Sequence, residues 1–391
     1  MAIELLVTDR NLNVLGDPIS GWSKLTSDLN FIAPDAAAIT VPAYPDHMAL
    51  FQPGNRLVLI RDGAIWCGGP LEEPQNYTWD LGSNAGPGTV TVRFTDDLGR
   101  IAGYLTYPEP SKSFAAQTET SDLERVFSGT ASGDVIRQLV YENCGPGALA
   151  ARRIERLVLD GVTGLGTSRT LKTRFDPLLD ACRTMAASDG LGFRTWQDGD
   201  QIKFGVYEPA DRTSTARFSA GLGNLRSVSF TLGAPTATSE LVIGGDDPAQ
   251  ETTPPDPPNE RVYVEVASGA AADWYRVEKL VEESGKDDAA GELTQAGRLE
   301  LVDDNPQASL ATVTVDTPDL RAGRDFGLGD LVTVVLPSGL EIADIVQTIR
   351  LEATPDGGEV VTTIVGSDDK TTNSATVRTL RELTRRLSRR R

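Results

Sequence analysis

Phe51-Gln52-Pro53-Gly54-Asn55-Arg56-Leu57-Val58-Leu59-Ile60 and Phe326-Gly327-Leu328-Gly329-Asp330-Leu331-Val332-Thr333-Val334-Val335 lie about 270 residues apart and share one pattern. Each follows a short β-branched run, Ile39-Thr40-Val41 or Val313-Thr314-Val315, and a polar loop. Each ends in a glycine turn, Asp62-Gly63 or Ser338-Gly339. The shared reading is strand, loop, Phe, Gly with Asn or Asp after it, apolar strand, turn. Glycine adopts backbone conformations that cost other residues strain, so Gly54, Gly63, Gly329 and Gly339 read as structural turn glycines. Gly-Asp before an apolar strand is common, so chance similarity competes with an internal duplication. Duplication predicts two superposable, separately closed β barrels, at residues 1–100 and 305–366, because such strands must close or cover their edges.

The 391 residues exceed one ordinary core and point to two to four domains. Nothing in the sequence approaches a membrane span, and the first ten residues lack the basic and apolar regions of a secretory signal. Cys67, Cys144 and Cys182 are far apart and read as small buried residues rather than a disulfide frame or a metal site. The formal charge is −19, yet residues 378–391 hold seven arginines and one glutamate, which leaves −25 for the rest. An acidic body does not suit duplex DNA along its surface. Contact with DNA is not expected, and only the basic end would be an exception.

Along the chain the pattern reads β, α/β, β, β: an α+β, mostly β, multidomain protein. A first β-barrel domain is expected at 1–110 and an inserted α/β domain at 111–220. A β-rich domain follows at 221–304, a second barrel at 305–366, and a linker with a basic helix at 367–391. In the insert, Val135, Ile136, Leu139 and Val140 share one helical face, and Leu178, Leu179, Cys182, Met185 and Ala186 another. Asp198-Gly199 joins two strands as a hairpin signal. Four prolines in five residues, Pro254 to Pro258, predict an exposed arm at 244–260 without ladder pairing. A further helix is expected at about 287–301, with Ala289, Leu293, Ala296 and Leu299 or Glu300 near one stripe. In the last helix Val377, Leu380, Thr384 and Leu387 alternate spacings of three and four. Val377, Leu380 and Leu387 are the suspected interface, with Arg381 and Arg385 facing an acidic partner.

No catalytic motif stands out, and no cofactor or metal is expected. His47 is the only histidine and has no nucleophile in a recognisable setting. The pairs Asp96-Asp97, Asp246-Asp247, Asp287-Asp288 and Asp303-Asp304 read as solvated surface, since 56 acidic residues produce such pairs by composition. Gly161 to Gly166 lacks the lysine of a phosphate loop and reads as a flexible connection. Trp22, Trp66, Trp79, Trp196 and Trp274 are scattered, which suits core or turn packing better than sugar stacking.

These residues carry a resemblance. The strand, Phe51 to Gly54, the apolar strand, Asp62-Gly63 and the Trp66 strand look like the opening of phage tail hub proteins. The middle helix pair with Leu191-Gly192-Phe193 and Gly199 resembles that family's insertion. Phe326 to Val334, followed by Ile342 to Val346, resembles its C-terminal barrel. The chain resembles the ReqiPepy6 Gp37-like minor tail proteins of long-tailed actinobacterial phages. That resemblance implies a structural, non-enzymatic virion protein of the tail tip or baseplate hub, a homotrimer that adapts a six-fold tail tube to a three-fold tip. The implied partners are the tail tube, distal tail and tape measure proteins and the tip or fibre proteins. The alternatives are a hexameric distal ring or a receptor-binding adhesion protein, and after them a carbohydrate-active enzyme. Oligomer symmetry separates these.

Overall fold

The computed structural model describes residues 3–72, 76–80, 86–117, 123–232, 234–245, 261–284, 291–304 and 308–366. The two quoted stretches form the strands Arg56–Arg61 and Leu331–Val335, each the first arm of an antiparallel hairpin. Their second arms are Ala64–Pro70 and Glu341–Thr354. Gly54, Gly63, Gly329 and Gly339 all have left-handed backbones, at φ +85°, +80°, +82° and +88°. Before each hairpin lies another antiparallel pair, Lys24–Asn30 with Ala36–Pro42 and Leu225–Leu232 with Ala308–Thr314. The outer neighbours differ: Arg56–Arg61 pairs antiparallel with Ile3–Thr8, whereas Leu331–Val335 pairs parallel with Arg217–Ser219.

The two units are not separate closed barrels; among the described residues no sheet closes on itself. The strand Glu341–Thr354 is the reason. Its first residues pair with Leu331–Val335, and Thr348 to Ala353 then pair with Lys24–Asn30 of the N-terminal unit on one side and Gly358–Val365 on the other. The edges that closure would have covered are satisfied by pairing across the units instead. An eight-stranded sheet results, and the four-stranded sheet containing Ile3–Thr8 and Arg56–Arg61 shares its core. Leu5, Leu57 and Leu59 from one unit and Val332, Val334 and Leu351 from the other belong to one apolar cluster, all fully buried.

The α/β region centres on a second core, which Leu12, Leu98 and Ile101 of the N-terminal unit join. The helices Ser132–Asn143 and Leu178–Asp189 bury the expected faces against Phe193, Phe204 and Val206. Its sheet runs Leu157–Gly161, Gln201–Tyr207, Gly192–Asp198, with the first pair parallel. The hairpin turn is Gly199-Asp200, one residue later than Asp198-Gly199, because Asp198 pairs with Gln201. Gly190, at φ +66°, ends the second helix in the left-handed conformation glycine allows. A third core lies under the sheet Val262–Ala267, Ser239–Gly245, Glu278–Ser284. Its helix is Glu292–Asp304, later than the 287–301 expected, and it buries Leu293, Gly297 and Leu301. The expected stripe through Ala296 missed Gly297, where a Cβ would lie 2.7 Å from Val266 and 2.9 Å from Val242. Close approach of helix to sheet excludes any side chain there.

Gly244 and Gly245, expected in the proline arm, end a strand. The rest of that arm, residues 246–260, lies outside the described residues, as does 367–391 with Val377, Leu380, Leu387, Arg381 and Arg385.

Gly329 and Gly339 separate two costs. Alanine at Gly339 meets open space and bears only the left-handed penalty, about 1–2 kcal/mol. Alanine at Gly329 would also drive its methyl into the ring of Phe31. In urea unfolding, Gly329→Ala should therefore lose clearly more stability than Gly339→Ala; equal losses would show that Phe31 moves aside freely.

Candidate functional site

Two polar regions join the inserted α/β region to its neighbours. The first is buried. Arg56, 2 % exposed, enters from the strand Arg56–Arg61 and meets Asp97 in a two-pronged ion pair of 2.9 and 2.6 Å. Asp97 opens the short helix Asp97–Ile101, whose N-terminal partial charge favours a carboxylate. Arg100 adds a contact of 3.2 Å. Beside it, Asp96 accepts the backbone N–H of Asp35 at 3.1 Å and the hydroxyl of Thr195 at 2.7 Å. Asp35 in turn accepts the N–H of Asn30 at 2.7 Å. Thr195 belongs to the insert strand Gly192–Asp198, so this cluster ties the insert to the main body.

Asp96 and Asp97 were expected on solvated surface, and both are buried. The missed signal is their place before a helical turn that follows a β-branched strand, Thr89–Thr95. Asp304, also expected at the surface, is buried and accepts from Lys279 and Thr236. The pairs at 246–247 and 287–288 lie outside the described residues.

Burial pushes the Asp96 carboxyl up to about 7, with the neighbouring Asp97 adding to the rise. Burial, then the charge of Asp96, raises Asp35 as well. Fully buried Glu240 is pushed up to about 7 by the same cause. Asp189 goes the other way: although burial opposes it, hydrogen bonds from Arg169, Ser132 and Thr167 hold it well below the usual carboxylate range. Those bonds, with Asp134 accepting the N–H of Gly164 at 3.0 Å, anchor the 161–167 connection expected to be loose.

The second region is open. A cleft of about 520 Å³ lies between the insert and the helix Glu292–Asp304. Leu171, Met185, Ala296 and Leu299 give it an apolar lining. Around them stand Glu124, Asp176, Glu283, Glu292 and Glu300, against the cations Lys172 and Arg174. Lys172 bridges the cleft to Glu292 at 3.1 Å.

Other chemically able residues are engaged elsewhere. His47 Nδ1 lies 2.9 Å from the carbonyl of Pro42 on a one-turn helix, Pro45–Leu50. The three cysteines are free and buried, and burial raises all three thiols, Cys144 to about 12. Among the described residues no group of three or more His, Cys, Asp or Glu is placed to hold a metal ion, and no helix is long and apolar enough to cross a membrane. Trp66 stacks under Arg61, whereas Trp79 and Trp274 are half exposed.

Residues 4–367 match the siphovirus ReqiPepy6 Gp37-like protein family, and the chain belongs to it. The fold is that of phage tail proteins. It is similar to the 43 kDa tail protein of prophage MuSo2 from Shewanella oneidensis, at 11 % identity and TM-score 0.59, covering 94 % of this chain and 99 % of that one. Prophage tail protein gp18 from Listeria monocytogenes EGD-e gives 10 % and 0.57, covering 97 % and 99 %. A tail protein from Neisseria meningitidis MC58 gives 14 % and 0.54, covering 94 % and 96 %. None of the curated proteins matches in sequence.

The buried junction has a pH signature. A carboxyl whose pKa is higher in the fold than in the unfolded chain holds its proton more tightly when folded. Its stabilisation is complete below about pH 4 and is lost as pH rises through 7. Thermal unfolding between pH 5 and 8 should therefore show stability falling as pH rises. Asp96→Asn, which retains acceptor and donor atoms, should make that fall shallower; an unchanged slope would assign the titration to other groups.

Proposed function

We propose that this chain is a structural component of the virion tail, a tail-tip hub that adapts a six-fold tube to a three-fold tip. The observation that carries this reading is the pair of similar hairpins, Arg56–Pro70 and 331–354, held in one shared core. A ring of three such chains presents six similar hairpins, the arrangement that a stack of unlike symmetries requires. Family membership and the tail-protein fold support the tail location. The open sheet supports assembly: it ends at the strand Asn76–Thr78, beside which Tyr77 and Trp79 are each more than half exposed. Unpaired strand edges next to exposed aromatic side chains are surfaces suited to a neighbouring chain.

In this reading the division near residues 110, 220, 304 and 366 separates hub units from the insert. The partners are the tail tube, distal tail, tape measure and tip proteins. No catalytic role is assigned: His47 lies against a backbone carbonyl, the cysteines are buried, and Asp97 is held in its ion pair with Arg56.

Native mass measurement of the purified full chain tests the proposal. Three chains per particle are expected, and symmetry analysis of imaged particles should show a three-fold ring. A six-chain ring would replace the hub with the distal-ring alternative, and a stable monomer at high concentration would overturn both.

A further inference from the structure

Glu240 stands on the strand Ser239–Gly245, where its neighbours in register are Val266 on one side and Lys279 on the other. It shares the face of Val242, which packs with Leu293 of the helix Glu292–Asp304 in the third core. Glu240 is fully buried, yet neither of its oxygens receives a hydrogen bond among the described residues. An ionised carboxylate held there would lose its hydration with no donor to replace it. The charged groups that face it come from two other elements. Lys279, on the strand Glu278–Ser284, donates to Glu300 at 3.1 Å and also to Asp304. Glu300 and Asp304 lie one turn apart at the end of the helix, where the last turn has no basic residue and the partial charge of the helix is negative. The third element, the strand Val262–Ala267, presents only Val266 beside Glu240, and Ser239–Gly245 carries no other charged residue. Three carboxyl groups therefore gather around one ammonium. We infer that Glu240 holds a proton and donates it to Asp304, and that this shared proton latches the end of the helix Glu292–Asp304 onto its sheet and releases it when the proton leaves.

The surroundings place the proton on Glu240 rather than on Asp304. Burial raises Glu240 to about 7 against the pull of Lys279, and the hydrogen bond to Asp304 and the charges of Asp304 and Glu300 add to the rise. Burial acts on Asp304 as well, but hydrogen bonds from Lys279, Thr236 and Glu240 outweigh it and hold that carboxyl below its ordinary value. Asp304 is therefore the ionised acceptor and Glu240 the neutral donor. Asp304 is also where the helix end is tied down, since its carbonyl accepts the N–H of Thr236 at 2.9 Å and its carboxylate accepts the hydroxyl of Thr236. When the proton passes to solvent, Glu240 and Asp304 become two carboxylates with one lysine between them, and their repulsion bears on that tie. The helix is a connecting element: Glu292 at its start is bridged to Lys172 of the insert, and the strand Ala308–Thr314 follows its end. Opening the latch frees the third sheet from the helix that links it to both neighbours. This device goes beyond the hub proposal and does not rest on it.

Hydrogen exchange of the full-length protein, corrected for the intrinsic pH dependence of amide exchange, tests the latch. A proton bound more tightly in the closed state than in the open one favours closure at low pH, and that advantage is lost as the pH rises through the closed-state value. Protection of the amides of Glu292–Asp304 should therefore fall at least tenfold between about pH 5 and about pH 8, and flatten above that. Glu240→Gln, which keeps a donor for Asp304, should hold the protection of this helix level across the range. The same variant should leave the insert helix Leu178–Asp189 with its wild-type profile. Infrared difference spectra give a second readout that leaves Glu240 in place. The band of a protonated carboxylic acid should titrate near neutral pH, and Lys279→Gln, which removes the cation opposing protonation, should move its midpoint upward. A Glu240→Gln protein whose helix keeps the wild-type pH dependence would overturn the inference. So would an acid band whose midpoint Lys279→Gln leaves unmoved. Particle mass reads the hub proposal separately, so either idea can fail without the other.

Discussion

Backbone pairing of Thr348 to Ala353 on both flanks is the constraint from which the rest of the structure follows. Arg350 faces Asp28 across 322 residues of sequence and is bound to it by two hydrogen bonds of 2.7 and 2.9 Å. A strand hydrogen-bonded on both sides has no edge to protect, so the two units cannot be pulled apart without exposing a row of N–H and C=O groups. Such pairing closes a very long loop before it gains any contact energy, so it forms late in folding, after the local hairpins. The order of events is then hairpins first, shared core second.

The insert is secured by apolar and polar contact together. Leu12, Leu98 and Ile101 of the N-terminal unit join its buried core, and Thr195 donates to Asp96, beside the ion pair of Arg56 and Asp97 within that unit, all nearly inaccessible to water. A buried ion pair adds little stability over well-packed apolar residues, but removing one partner costs about 3–5 kcal/mol because the other charge is left stranded. The pair therefore fixes Asp97 and its neighbour Asp96 within the body, and the hydroxyl of Thr195 registers the insert against that fixed carboxylate. Apolar surface alone would tolerate sliding.

Features with a local cause were legible in the sequence. Helical faces such as Val135, Ile136, Leu139 and Val140, the stop at Gly190, and the strands after Gly54 and Gly329 follow from spacing and backbone sterics. Features that depend on partners distant in sequence were not. The long strand Glu341–Thr354 reads like any other β-branched run, and nothing in its residues names Lys24–Asn30 as its neighbour, so barrel closure was the reasonable inference from either unit alone. Asp96 and Asp97 read as two more acidic residues in an acidic chain until Arg56, forty residues away, is placed beside them. Nothing near Gly297 in sequence marks it, and only the nearness of Val266 and Val242 shows why a glycine stands there.

Shared pairing also changes what two similar units can do. Two independent barrels joined by a linker would take up many relative orientations, and a ring built from them would be loose. Strands common to both units fix that orientation. The same sharing makes the units unequal, since one hairpin has the antiparallel neighbour Ile3–Thr8 and the other the parallel neighbour Arg217–Ser219, where Phe218 meets Phe326 edge to face at 5.3 Å. Units alike in the hairpin and unlike in what flanks it suit a three-chain ring on a six-fold partner. In the proposed ring a six-fold partner would meet six similar hairpins, while each hairpin would alternate between two different neighbours. Strictly equivalent units would allow such a ring to slip by one unit; unequal flanks would give each contact a single register.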